Sequence, residues 1–193
     1  MRRVSLFVED AAHEKFIGAV LKRVAHEHKI NIKITFSSVR GGHGTVKREL
    51  KQFINDILRD RTGPPDLIIV ATDANCMGFN RREKEITAIT NKVTLKIICA
   101  IPEPHIERWF LIDSLAFKKA VGKGCGAPDK KCERSRYKNL LIQNIVDAGI
   151  IPSFGGIEFA DAIVEEMDLP GAARFDHSFE RFISELRAVF RDW

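Results

Sequence analysis

The fold is decided by the stretch Asp66-Leu67-Ile68-Ile69-Val70-Ala71-Thr72-Asp73. Its short apolar run follows Gly63-Pro64-Pro65, which stops the preceding element, so the run predicts a buried strand over residues 66–72. Residues 4–8 and 93–101 form similar apolar runs, and residues 31–36 alternate apolar and polar side chains. We therefore predict four strands.

Helical periodicity fills the intervals between these strands. The predicted helices cover residues 12–28, 46–59, 81–90 and 104–119, the last with Pro104 in its first turn. Residues 37–45 contain Gly41-Gly42-His43-Gly44 and are predicted to be a loop. The alternation predicts an α/β fold with a mostly parallel central sheet, flanked by helices and joined by right-handed crossovers.

The chain of 193 residues is long enough for one sizeable core, so we expect a single domain. Residues 1–119 form its α/β core. Residues 120–138 are a basic, glycine-rich loop that is either mobile or an insertion. Residues 139–193 complete a helical C-terminal part, with predicted helices at 137–147, 155–167 and 177–189.

The bulk composition is that of an ordinary globular protein, with 45% hydrophobic and 30% charged residues, which argues against disorder. A net charge of +5 mildly favours an acidic partner. No apolar run approaches the roughly 20 residues that span a bilayer, and the N-terminus lacks a signal-peptide cleavage site, so we expect a cytoplasmic protein without membrane contact.

The cysteines Cys76, Cys99, Cys125 and Cys132 contain no CxxC pair. Reduced thiols in a cytosolic protein are the simplest interpretation, with Cys99 an inert core residue. A zinc site in the loop between Cys125 and Cys132 would lack two clear ligands.

Three acidic residues lie where predicted strands end: Glu9, Asp73 and Glu107. Ligands of open α/β sheets bind at the carboxyl ends of the strands. Carboxylates gathered there repel one another unless a cation lies between them, and Mg²⁺ prefers oxygen ligands. Asn75 and Glu14 could add further oxygens. The pattern suggests metal-dependent chemistry on an anionic polymer.

Structural alternatives exist for each of these residues. Glu9 could simply interact with a helix dipole, and Asp73 could cap or shape a turn. Asn75 could likewise shape the turn, and Glu14 could face solvent. His105 could be a general base, which must reach the proton that it removes, or a capping or surface group.

Basic residues that could contact substrate phosphates follow the second and third strands: Arg40, His43, Lys47, Arg81 and Arg82. Lysines and arginines are densest between residues 118 and 138. Any one of these clusters could also be a solvated charged surface. Several clusters bordering one predicted crevice favour contact with a phosphate backbone.

Together these segments resemble the Toprim-fold proteins, in the branch related to the OLD (overcoming lysogenization defect) nucleases and its small stand-alone members. The resemblance covers most of the chain and depends on Leu6-Phe7-Val8-Glu9, Ile68-Ile69-Val70-Ala71-Thr72-Asp73-Ala74-Asn75, Ala100-Ile101-Pro102-Glu103-Pro104-His105-Ile106-Glu107-Arg108-Trp109-Phe110-Leu111-Ile112-Asp113 and Ser178-Phe179-Glu180-Arg181-Phe182-Ile183-Ser184-Glu185-Leu186.

This resemblance implies a metal-dependent nuclease that hydrolyses phosphodiester bonds of DNA or RNA, serving genome maintenance or defence. Glu9 and Asp73 would hold Mg²⁺ or Mn²⁺, and Glu107 would hold or orient a second ion. The sequence departs from the family pattern at Asn75, where the family has Asp, and at His13, where it has an acidic residue. Glu14 lies one position after the place of the second acidic residue in the family pattern.

Two other functions remain open. The altered acidic motifs are compatible with a catalytically weak or inactive module that binds nucleic acid or protein and works with a partner such as an ATPase. A nucleotide-binding α/β protein ranks last, because neither a P-loop nor a GxGxxG motif follows the first strand. Monomer and homodimer are equally compatible with the sequence.

Overall fold

The computed structural model describes residues 1–38, 42–133 and 135–193. Its four strands are β1 (Arg2–Val8), β2 (Ile32–Ser38), β3 (Leu67–Ala71) and β4 (Ile97–Ala100), which pair in the order β2-β1-β3-β4. Every pairing is parallel. The prediction of an α/β fold with a parallel sheet is confirmed, and the arrangement is Rossmann-like.

The crossover helices α1 (Ala11–Glu27), α2 (Gly42–Leu58) and α3 (Phe79–Thr90) connect successive strands. The chain turns outward from β1 to β2 and then returns past β1 to β3, so the strand order reverses between the two central strands. Open α/β sheets bind ligands at such a switch point, outside the carboxyl ends of the strands.

The register brings those ends together. Val8 of β1 is opposite Ala71 of β3, and Ala71 is opposite Ala100 of β4. Residues that follow these positions must therefore meet at one edge of the sheet. All five residues of β3 are buried, which agrees with the uninterrupted apolar run in its sequence.

After β4 the chain is helical: α4 (Glu107–Phe110), α5 (Ser114–Val121), α6 (Arg136–Asp147), α7 (Ala160–Glu166), α8 (Leu169–Phe175) and α9 (His177–Arg191). Core residues of α1, α7 and α9 pack against one face of the sheet. Residues of α2 and α3 pack with Phe7, Ile68 and Val70 on the other face. The alternation of side chains along each strand explains this division.

The predicted helix over 104–119 is wrong, because two short helices occupy that region. Asp113 has extended backbone and accepts hydrogen bonds from the backbone N–H groups of Leu115 and Ala116, which makes it the N-cap of α5. Pro104 precedes α4 and follows a cis peptide bond with Glu103. An N-terminal cap inside an apolar periodic segment was missed.

Several boundaries also differ from the predictions. Helix α2 begins at Gly42, inside the predicted loop over 37–45, and β4 is shorter than the predicted 93–101. Helix α8 was missed, since Pro170-Gly171 was interpreted as a break. Pro170 lies in the first turn of α8, where its missing N–H costs nothing.

The segment predicted as a basic loop over 120–138 is shorter than expected, because α5 extends to Val121 and α6 begins at Arg136. The described part of it is tied to the fold. The Tyr137 hydroxyl accepts a hydrogen bond from the Lys131 N–H and lies 2.7 Å from the Asp129 carbonyl. Cys132 forms a disulfide bond with Cys76. The expectation of four reduced thiols is therefore wrong, and Cys99 and Cys125 are the free cysteines.

Candidate active site at the carboxyl edge of the sheet

The structure brings the three predicted acids to the switch point. Glu9 directly follows β1, Asp73 follows β3 by two residues, and Glu107 is the first residue of α4. The Glu9 Oε2 accepts hydrogen bonds from the Thr72 hydroxyl at 2.5 Å and from the Asp73 N–H at 3.1 Å. Burial, together with the negative charges of Asp73 and Asp10, raises the pKa of Glu107. The charge of Asp73 thus opposes ionisation of the Glu107 carboxyl group at this edge of the sheet.

Asp73 is the centre of the cluster. Its Oδ1 accepts a hydrogen bond from the Ile106 N–H at 2.8 Å, and its Oδ2 lies 3.0 Å from Nδ1 of His105. Nε2 of His13 is a third neighbour and lies 3.2 Å from Oδ1 of Asp73. Burial alone would raise the pKa of Asp73, but the charge of His13 and the hydrogen bond with His105 lower it. Asp73 is therefore an anion held by two histidines and an amide.

His13 is fully buried between two carboxylates. Its Nδ1 lies 2.8 Å from Oδ1 of Asp10, the N-cap of α1, and its Nε2 faces Asp73. Burial alone would lower the pKa of His13, but the charges of Asp73 and Asp10 raise it to about 10. The imidazole is consequently protonated at neutral pH. The cluster at the sheet edge therefore contains a positive charge between its carboxylates.

His105 and Glu107 complete the cluster on its outer side. The hydrogen bond with Asp73 raises the pKa of His105. The Glu107 carboxylate forms no ion pair with a cationic side chain in residues 1–38, 42–133 and 135–193. His105, the candidate general base of the sequence prediction, is therefore in contact with Asp73.

The three carboxylates fit a divalent cation in donor type, because they are hard oxygen donors. Across the described part of the chain, no three His, Cys, Asp or Glu side chains are already arranged to hold a metal ion. Both oxygens of Asp73 face histidines, Oδ1 facing His13 and Oδ2 facing His105. A cation at Asp73 would have to replace these contacts.

Asn75 and Glu14, which were predicted to add oxygens to the metal site, lie apart from the three carboxylates. Asn75 has a left-handed backbone, and its side-chain amide donates to the Asp73 carbonyl at 3.4 Å, so it shapes the turn after β3. Glu14 lies half-exposed in the first turn of α1 and has no side-chain contact with the acids among the described residues. The structure joins neither side chain to the carboxylate cluster.

Three predicted basic residues converge on one carboxylate that the sequence analysis missed. Oε2 of Glu85 lies 2.6 Å from Nε2 of His43, 3.4 Å from Nζ of Lys47 and 3.4 Å from a terminal nitrogen of Arg82. Burial alone would raise the pKa of Glu85, but the hydrogen bond with His43 and the charge of Lys47 lower it. The Arg82–Glu85 spacing of three residues on a helix was the available signal.

The remaining basic predictions have different outcomes. Arg81 is exposed on α3, and Arg40 lies outside the described residues. The basic cluster touches the acidic one through Thr72, because Nδ1 of His43 lies 3.0 Å from the Thr72 hydroxyl oxygen. Nε of Arg82 also donates to the Asp73 carbonyl at 3.1 Å. Acidic and basic groups therefore adjoin at the switch point.

Fold and site together define an α/β protein whose parallel sheet presents a carboxylate–histidine cluster beside a basic one. The family model described as a domain of unknown function (DUF4276) matches residues 8–187, so the chain belongs to the DUF4276 family. A search of curated proteins finds no match. A search of solved structures finds none either. None of the helices in the described ranges has the length and apolar character needed to cross a membrane.

Proposed function

We propose that this protein is a divalent-metal-dependent nuclease of Toprim type that hydrolyses phosphodiester bonds in DNA or RNA. The observation that carries the proposal is the convergence of Glu9, Asp73 and Glu107 at the switch point of the sheet, beside His43 and Arg82. A phosphodiester needs both groups: oxygen donors for a cation, and positive charge for the substrate phosphate.

Glu9, Asp73 and Glu107 would hold Mg²⁺ or Mn²⁺, which lowers the pKa of a bound water and neutralises charge on the reacting phosphate. Thr72 and the Asp73 amide fix the orientation of the Glu9 carboxylate. The Ile106 N–H does the same for Asp73. Such outer contacts orient ligands and tune their affinity.

The proposed substrate and setting follow from the same features. Nucleic acid is the proposed partner, in agreement with the net charge of +5 and with the basic residues at the sheet edge. We further propose a cytoplasmic protein that serves genome maintenance or defence, with an ATPase partner or a second copy of the chain as the associated subunits.

A second candidate is a nucleic-acid- or protein-binding module of low or no catalytic activity. The observation that favours it is the protonated His13, which supplies within the core the positive charge that Asp73 would otherwise receive from a metal ion. In that function the carboxylate cluster stabilises the sheet edge, and the basic residues bind the partner.

Incubation of purified protein with DNA and RNA at millimolar Mg²⁺ or Mn²⁺ tests the nuclease. We expect metal-dependent cleavage by the wild type, a loss of at least about a hundredfold for Asp73→Asn, and no change for Asp161→Asn, whose carboxylate lies on the surface of α7. Absence of cleavage with every metal, together with absence of Mn²⁺ binding by calorimetry, would refute the nuclease and favour the binding module.

A further inference from the structure

Glu85 receives more positive charge than one carboxylate can neutralise. Lys47 and Arg82 are both cationic, and His43 adds a third donor, yet all three face the same oxygen, Oε2. The acceptor at this point therefore has three donors from two helices, α2 and α3. A carboxylate oxygen accepts such bonds, but a phosphate offers more oxygens and up to two charges to the same donors.

The exposure of these groups determines how a ligand could reach them. The side chains of His43 and Arg82 are 13% and 9% exposed, whereas those of Lys47 and Glu85 are 37% and 25% exposed. His43 and Arg82 are thus the inner, largely buried donors, whereas Glu85 and Lys47 face solvent. Because the Glu85 side chain is one quarter exposed, its rotation to another rotamer would carry the carboxylate toward solvent.

The location of this cluster makes it relevant to the proposed chemistry. His43 contacts Thr72, and Thr72 donates to Glu9, so two hydrogen bonds connect the inner donor to a predicted metal ligand. Arg82 reaches the Asp73 carbonyl. A phosphate that replaced the Glu85 carboxylate would therefore lie next to the carboxylate cluster along the same sheet edge.

We infer that His43, Lys47 and Arg82 form a phosphate-binding pocket, and that Glu85 occupies it as an internal competitor of the substrate phosphate. The ligand class is a phosphate group of a nucleic-acid strand, either terminal or within the backbone. The inference rests on the proposed function for its substrate, but the binding step itself requires no metal. Substrate entry displaces Glu85, so this residue sets the affinity for the strand.

Fluorescence anisotropy with a labelled single-stranded oligonucleotide, in a chelator and at low salt, tests this pocket separately from cleavage. Removing the competing charge in Glu85→Gln should tighten binding about fivefold, and Lys47→Met should weaken it about as much. The matched control is Glu83→Gln, because Glu83 lies on the same helix but pairs with Arg181 outside the pocket. It should leave the affinity unchanged.

Two oligonucleotides of one sequence, with a 5′-phosphate or a 5′-hydroxyl, distinguish the phosphate sources. A larger gain of Glu85→Gln with the 5′-phosphate assigns the pocket to a strand end, and equal gains assign it to the backbone. Unchanged or weaker binding by Glu85→Gln overturns the inference, since Glu85 would then only hold the cations together.

A measurement on the wild type covers the case in which Glu85→Gln fails to fold. Inorganic phosphate should raise the melting temperature of the wild type, and that shift should disappear in Lys47→Met but persist in Glu83→Gln. A shift of equal size in Lys47→Met overturns the pocket. Anion binding without any cleavage supports the pocket and refutes the nuclease. Cleavage without the Glu85 effect supports the nuclease and refutes the pocket.

Discussion

Nε2 of His13 lies 3.2 Å from Oδ1 of Asp73, inside the protein and at the carboxyl edge of the sheet. The buried imidazolium is stabilised by the carboxylates of Asp10 and Asp73 on its two sides, and it lowers the pKa of both in turn. The cluster thus contains an internal cation. This pairing has consequences for stability that can be measured without knowledge of the substrate.

The first prediction concerns the pH dependence of stability. The pKa of His13 is raised from 6.5 to about 10 by folding, so its contribution is fully present below about pH 6.5 and is lost as the pH rises through 10. The free energy of unfolding should fall by a few kcal/mol over that range. Urea denaturation of the wild type between pH 7 and 10 measures it.

His13→Gln supplies the comparison for that measurement, because the amide has the same hydrogen-bonding reach but does not titrate. We expect this variant to be less stable than the wild type at pH 7 and to lose less stability up to pH 10. Parallel curves for the two proteins would show that His13 is not protonated in the folded state.

The second prediction concerns Glu107, whose pKa is raised by burial and by the charges of Asp73 and Asp10. An acid with a raised folded pKa destabilises the protein above that pKa, because the unfolded chain ionises more easily. Glu107→Gln should therefore stabilise the protein at pH 8 by roughly 0.5–1 kcal/mol in a chelator, while it reduces any metal-dependent cleavage.

Glu14→Gln is the matched control, since Glu14 is close in sequence to Asp10 but has no contact with the acids among the described residues. It should leave cleavage unchanged and should not stabilise the protein, because an acid in the first turn of a helix interacts favourably with the helix dipole. A Glu107→Gln protein that is less stable than the wild type would contradict the like-charge explanation.

The sheet was predictable from the sequence for a physical reason. Each strand is either a continuous apolar run or a clear alternation, and a parallel sheet covered on both faces requires such runs. The ends of β1 and β3 lie within two residues of the first charged residue that follows each apolar run, Glu9 and Asp73. Helix boundaries were less predictable wherever a cap, such as Asp113, interrupts an apolar period.

The site was predictable only in part. Strand-end acids meet because parallel strands share an edge, so Glu9, Asp73 and Glu107 could be grouped in advance. The partners of Asp73 could not be predicted, because His13 reaches it from α1 and His105 reaches it from the loop before α4, through tertiary packing. Glu85 was missed for the same reason, since two of its three partners lie on α2.

The third prediction concerns the cap that divides the segment after β4. Oδ1 of Asp113 accepts from the N–H groups of Leu115 and Ala116, and its Oδ2 accepts from the N–H of Asp168. Asp113→Ala should lower the free energy of unfolding by about 1–2 kcal/mol. Asp113→Asn, which still caps a helix, should retain most of the wild-type free energy of unfolding. Equal losses in urea denaturation would show that capping is not the cause.

The fourth prediction concerns the disulfide bond between Cys76 and Cys132. It joins the turn that follows Asp73 to the basic segment before α6, and it closes a loop of sequence separation 56. Thiol titration of denatured, unreduced protein should detect the two cysteines Cys99 and Cys125, and all four after reduction with dithiothreitol. Four thiols before reduction would contradict the pairing. Replacement of both Cys76 and Cys132 by serine should cost about 2–4 kcal/mol of unfolding free energy, because the unfolded chain regains the freedom of that loop.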